Sequence, residues 1–178
     1  MRYAVLLRGI NVGGKNKVPM AQLKRVLENA GLTDVVTYIN SGNVAVSSNL
    51  SNERALQSYI EPLLKTEFGF PVKALVKSRE NYLKIVNSIP QNFTNDTDMK
   101  CDVMFLWHNY TAAEAVAKLP AKEAIDTIIA THGAIIWAVD RTNVTRSGMI
   151  KLVGTDLYAH MTIRNCNTAR KLAAILAT

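Results

Sequence analysis

The chain has 178 residues, 48% of them hydrophobic and 20% charged, and a formal net charge of +7. That length can bury one good core or two small ones, and the longest apolar runs, such as Ala134-Ile-Ile-Trp-Ala-Val139, are far too short to span a bilayer. The N-terminus lacks a charged leader ahead of a long apolar stretch, and Cys101 and Cys166 have no C-x-x-C spacing, so we expect a soluble cytoplasmic protein with reduced thiols, no membrane association and no disulfide framework.

In chain order, Tyr3 to Arg8 is a short apolar run ending at glycine, which suits a buried central strand. A glycine-rich loop follows, and Pro19 then opens a helix whose Met20, Leu23, Leu27 and Ala30 share one face, with Gly31 as its stop. Asp34 to Asn40 and Asn43 to Ser48 read as two strands joined tightly through Ser41-Gly42. Ser51 is the expected cap of a second helix carrying Leu56, Ile60, Leu63 and Leu64, interrupted at Pro62, and Pro71 to Lys77 is a fourth strand. The order β-α-β-β-α-β is that of the ferredoxin-like split unit.

A helix through Tyr82, Leu83, Val86 and Ile89 leads into a polar stretch, Pro90 to Lys100, with the character of a linker. Beyond it, Cys101 to Trp107 is a strand, Thr111-Ala-Ala-Glu114 is a capping box, and Ala124 to Thr131 with Ala134 to Val139 form a hairpin around His132-Gly133. A short helix after Ser147 and a final helix from about Thr168 complete the chain. The expected fold class is therefore α+β, with a ferredoxin-like subdomain over 1–90 and a second mixed α/β subdomain with a basic C-terminal helix over 91–178. No sequence repeat indicates duplication.

Charge is unevenly placed. Residues 1–27 carry six basic and no acidic side chains, 28–139 nine basic and twelve acidic, and 140–178 six basic and two acidic. Both ends are basic, and a surface on which they met would attract phosphate; scattered, the same charges would serve only solubility.

The loop Gly9-Ile-Asn-Val-Gly-Gly-Lys-Asn16 misses the phosphate-loop pattern G-x-x-x-x-G-K-[ST] at Asn16, and Pro19 pushes the helix start downstream of it. The antiparallel pairing of the first and third strands in a split unit nonetheless brings this loop to the hairpin's edge. Arg8, Asn11, Lys15, Lys17, Asn40, Ser41 and Asn43 are thus expected to converge near a helix N-terminus, which favours an anion. Arg141, Arg146, Arg164, Asn165, Asn167 and Arg170 are residue types that bind phosphate in the basic C-terminal third. The plainer alternative is that the glycines only turn the chain, Asn40 to Asn43 only form a hairpin, Asn167 or Thr168 caps a helix, and the arginines are solvated.

Other chemistry is poorly supplied. His108, His132 and His160 share no ligand spacing, so no metal site is expected; G-x-S-x-G is absent; Asp96 and Asp98 lie in the polar stretch; Cys166, near Arg164 and Arg170, has no base beside it. The third strand has no aromatic residue on which RNA bases could stack. The favoured function is binding of an anionic ligand, a nucleotide or nucleic acid. The alternatives are an enzyme on a phosphorylated or nucleotide substrate, with Lys15 stabilising charge and Asp140 as its carboxylate, and an interaction scaffold. No cofactor, catalytic residue or oligomeric state is specified.

The segments LLRGINVGGKNKVPM (Leu6 to Met20), TYINSGNV (Thr37 to Val44) and MTIRNCNTARKL (Met161 to Leu172) resemble the bacterial proteins grouped as domain of unknown function 1697. The last segment is similar to that family's T-x-R-N-x-x-T-x-x-K-L ending, where an aromatic or aliphatic residue is common in place of Cys166. The resemblance covers nearly the whole chain and implies a two-subdomain α+β fold with a ferredoxin-like part. It implies no activity.

Overall fold

The computed structural model describes residues 1–178. The fold is α+β, with two four-stranded antiparallel sheets. The chain divides into two compact units, Met1–Tyr82 with Leu172–Thr178, and Leu83–Lys171, so the expected 90/91 division lies inside the second.

In the first unit, β1 (Arg2–Arg8), α1 (Met20–Asn29), β2 (Thr33–Tyr38), β3 (Asn43–Ser47), α2 (Glu53–Phe68) and β4 (Lys73–Ser78) follow one another. The sheet order is β2-β3-β1-β4, and every neighbouring pair is antiparallel. Inner strand β1 is buried on both faces, which is why its sequence is a continuous apolar run and not an alternation. Tyr3, Val5 and Leu7 pack with Leu23 and Leu27 of α1 and with Leu56, Ile60 and Leu64 of α2. The strands β2 and β3 are joined by four residues, 39–42, longer than the expected two-residue link, since Tyr38 pairs with Asn43. Ile39 in this turn has φ 49°, a strained setting for a β-branched residue.

Two local expectations at α2 are corrected. Its cap is Asn52, whose Oδ1 accepts from Ala55 N at 2.8 Å, and not Ser51. The helix also runs through Pro62 uninterrupted. The carbonyl that loses its partner there belongs to exposed Ser58, where water can replace the missing N–H.

The division falls inside α3 (Arg79–Asn87), and the second unit continues with β5 (Met99–Leu106), α4 (Ala112–Val116), β6 (Thr127–Thr131) and β7 (Ala134–Asp140). Three 3-10 segments follow over Arg141–Arg146, Gly148–Gly154 and Asp156–His160, then β8 (Met161–Asn165) and α5 (Cys166–Ala177), whose residues from Leu172 onward belong to the first unit. The Thr111–Glu114 capping box is present with both of its hydrogen bonds. The sheet order β6-β7-β5-β8 repeats that of the first sheet, although the second crossover here is 3-10 and not α-helical. Met104, Leu106, Ile135, Trp137, Met149 and Leu157 form this unit's apolar cluster. The strand β8 was not expected, and it moves the start of the last helix from Thr168 to Cys166.

No helix is long and apolar enough to cross a membrane.

Candidate functional site

The corner at the end of β1 begins with a miniature hairpin. Asn11 N donates to Asn16 O and Lys15 N to Val12 O, both at 3.0 Å, and Gly13 and Gly14 at the tip have φ of 57° and 75°. Two successive left-handed residues make a type I′ turn, a conformation that a Cβ resists. These two amides bond across the hairpin, unlike those of a phosphate loop, which wrap an anion.

Asn11, itself at φ 56°, ties this hairpin to its surroundings. Its Nδ2 donates to Val18 O at 3.0 Å and to Asn40 O at 2.8 Å, and its Oδ1 accepts from Val18 N at 2.8 Å. Asn43 is fully buried, and its Nδ2 donates to Tyr38 O at 3.1 Å and to Ser41 Oγ at 2.9 Å. Both side chains were expected to contact a ligand; these bonds use them to join the loop, the 39–42 turn and the lead-in to α1. Replacing Asn11 with alanine should therefore cost about 2 kcal/mol, through three lost hydrogen bonds and the strain of alanine at positive φ. Urea unfolding followed by far-ultraviolet circular dichroism measures this, and Asn11→Gly, which relieves the strain alone, should recover part of the loss.

The groups this corner presents to solvent include two cations, beside exposed apolar Val12 and Ile39. Lys15 and Lys17 are exposed, as are Asn40 and Ser41 on the neighbouring turn. Arg8 is half-buried and stands opposite Lys73 in the β1–β4 ladder. The residue ahead of α1 is Pro19; no side chain caps this helix, and its first turn holds no acidic residue. First-turn amides and the helix dipole at such an end favour negative charge.

The remaining candidates belong to the second unit, where several act on the chain itself. Arg141 Nε donates to Asp96 O at 2.7 Å and its Nη2 to Asn95 Oδ1 at 3.2 Å. Arg170 donates to Phe93 O at 2.8 Å and to Pro90 O at 2.9 Å, and Asn167 Nδ2 to Asn95 O at 2.9 Å. The polar stretch expected to be a linker is thus held by side chains from beyond β7. Asn165 Oδ1 accepts from Thr168 N at 2.8 Å in the first turn of α5. Arg164 is buried, with Nη1 donating to Thr162 Oγ1 and Ile163 O, while Arg146 is exposed and reaches Asn143 Oδ1 at 3.2 Å. Asp140 is exposed at the end of β7 and Cys166 is fully buried. No group of three or more His, Cys, Asp and Glu side chains is arranged to hold a metal ion.

The sequence reading passed over Asp126, the most heavily bonded carboxylate of the second unit. It accepts from Trp137 Nε1 at 2.8 Å, Lys122 N at 2.8 Å, Gly148 N at 3.1 Å and Ser147 Oγ. Burial opposes its charge, but the hydrogen bonds from Ser147, Lys122 N, Trp137 and Gly148 N outweigh burial and hold it below the usual carboxylate range. With every donor internal, this is a structural anchor.

Residues 1–137 match the family described as Protein of unknown function (DUF1697). The whole fold is similar to that of a conserved bacterial protein from Streptococcus pneumoniae, at 30% identity over 98% of each chain and a TM-score of 0.83. No curated protein matches the chain.

Proposed function

The chain belongs to this family, Protein of unknown function (DUF1697), and from that premise we propose that it is a binding protein for a phosphate-bearing anion, a nucleotide or a stretch of nucleic acid, seated at the corner between β1 and α1. The observation that carries this reading is the N-terminus of α1, which has no side-chain cap and no acidic residue in its first turn and follows exposed Lys15 and Lys17. The strand order β2-β3-β1-β4 supports a ferredoxin-like first unit, in which the end of the first strand and the start of the first helix share an edge. Strain at Ile39, in the turn that Asn11 grips, adds support, since such strain concentrates at functional sites.

In this reading the first-turn amides of α1 hold a phosphate, Lys15 and Lys17 neutralise its charge, Arg8 draws the anion toward the sheet, and Asn11, Asn40, Ser41 and Asn43 keep the corner in shape. We place this binding in the cytoplasm, in keeping with two free, buried thiols.

The test is a fluorescence-anisotropy titration with a labelled single-stranded oligonucleotide. With about three phosphates contacted, affinity should fall roughly tenfold to twentyfold between about 50 and 200 mM salt. A Lys15→Ala, Lys17→Ala double variant should bind more weakly and lower the salt slope by about 1.4, two phosphate contacts' worth. Binding that ignores salt, or a double variant that titrates like the parent, would refute the reading.

A further inference from the structure

We propose that Cys101 and Cys166 form a dithiol that closes to an intramolecular disulfide, tying the first residue of α5 to β5. The β5–β8 register pairs Leu106 with Met161, Val103 with Arg164 and Asp102 with Asn165. One further step sets Cys101 opposite Cys166, where β8 gives way to α5. Directly opposed residues of antiparallel strands have Cα atoms about 4.5–5.5 Å apart and project from the same face, and a disulfide spans about 4.4–6.8 Å. Extended one residue beyond its last pair, Asp102 with Asn165, the ladder would bring these two cysteines, far apart in sequence, to bridging distance.

The surroundings agree. Both thiols are free and fully buried. Burial pushes the Cys101 thiol up, and the neighbouring Cys166 adds to the shift. Cys166 Sγ also lies 3.9 Å from Phe93 O and 3.8 Å from Arg170 Nη1. Arg170 binds Phe93 O and Pro90 O as well, so the state of the sulfurs is linked to the segment ahead of β5. Oxidation would remove the Cys166 S–H that faces the Phe93 carbonyl.

The oxidant class is a low-molecular-weight disulfide such as oxidised glutathione. Cys166 takes the first step in this proposal because it lies at the junction of β8 and α5, beyond the last paired residue of the ladder, while Cys101 sits in inner strand β5. Its thiolate attacks one sulfur of the oxidant, the oxidant's S–S bond breaks, and one thiol leaves. The Cys101 thiolate then attacks the Cys166 sulfur of the mixed disulfide and releases the second thiol. Two protein thiols lose two electrons and two protons overall, and the oxidant becomes two thiols. A cytosolic bridge of this kind is transient and redox-sensing.

The full chain is equilibrated, folded and without denaturant, in glutathione buffers of rising oxidised-to-reduced ratio, then quenched by alkylation and weighed intact. Both thiols should become unreactive in a single step, with a mass loss of about 2 Da, no glutathione adduct, and a Cys101–Cys166 cross-linked peptide after digestion. Cys101→Ala and Cys166→Ala should each abolish the mass loss. Because either variant could disturb the core, the parent's peptide map decides independently. Stable mixed disulfides with glutathione, thiols that stay alkylatable at every ratio, bridges between two chains, or closure only in urea would each overturn the proposal.

Discussion

Replacing Asp126 with alanine should destabilise the protein by about 3–5 kcal/mol, because several hydrogen bonds to a charged acceptor are lost at once and their buried donors are left unsatisfied. Four donors lose their acceptor together: Trp137 Nε1, Lys122 N, Gly148 N and Ser147 Oγ. These donors come from three places in the chain, the turn before β6, strand β7 and the start of the second 3-10 segment, so the carboxylate fastens them to one another. The indole of Trp137 makes urea unfolding directly readable by fluorescence. Acid should act the same way. Because the folded protein holds Asp126 below the usual carboxylate range, its contribution is fully present above an unfolded value of about 3.9 and is lost as pH falls through the folded value. Asp126→Asn should therefore start from lower stability and lose the part of the decline below about pH 4 that belongs to this group. An Asp126→Ala protein that unfolds at the parent's urea midpoint would remove the anchor from this account.

Gly148→Ala should cost about 3 kcal/mol or more. A Cβ at this position would overlap the Pro120 carbonyl oxygen and come within 2.8 Å of Pro120 C. Both are backbone atoms, which cannot swing aside as the tip of a flexible side chain could. Gly148 is also buried, and its N–H is one of the four donors to Asp126, so moving it to relieve the overlap loosens the anchor too. Gly154, at the other end of the same 3-10 segment, has open space around its Cβ position. Gly154→Ala should shift stability by no more than about 0.5 kcal/mol, which controls for glycine replacement in this segment. Paired thermal melts of the two variants separate close backbone approach from a general intolerance of alanine.

Much of the first unit was legible in the sequence because its elements announce themselves locally. The run Tyr3 to Arg8, Pro19 ahead of α1, Gly31 after it and the alternation through Val44 and Val46 each carry their signal within a few residues. The misses have physical causes. In β8, Met161–Asn165 is five residues long and holds Arg164 and Asn165 beside a helix start, so it read as the polar approach to α5. Its strand character comes from pairing with β5, some sixty positions earlier, which no local pattern encodes. The shared strand order of the two sheets was hidden for a similar reason, since a 3-10 stretch in the second unit stands where the first unit has α2.

The candidate site was legible in residue type and less so in role. That Asn11, Lys15, Lys17 and Asn43 would gather at one edge follows from β-α-β-β order, but not which atoms they would present. Asn11 and Asn43 turn inward, and Arg141 and Arg170 donate to carbonyls of residues 90–96 far back in the chain. An arginine facing water and one closing a loop read alike in sequence, because the difference lies in a distant backbone oxygen. Asp126 escaped notice for the same reason.

If a phosphate-bearing anion is held at the start of α1, amide-resolved NMR of the full chain will locate it there. On titration with a short single-stranded oligonucleotide at low salt, the amides of Met20, Ala21 and Gln22 should move furthest, together with those of Lys15 and Lys17, and the shifts should vanish in the Lys15→Ala, Lys17→Ala variant. Shifts that centre elsewhere and leave the first turn of α1 unmoved, or that persist unchanged in the variant, would contradict it.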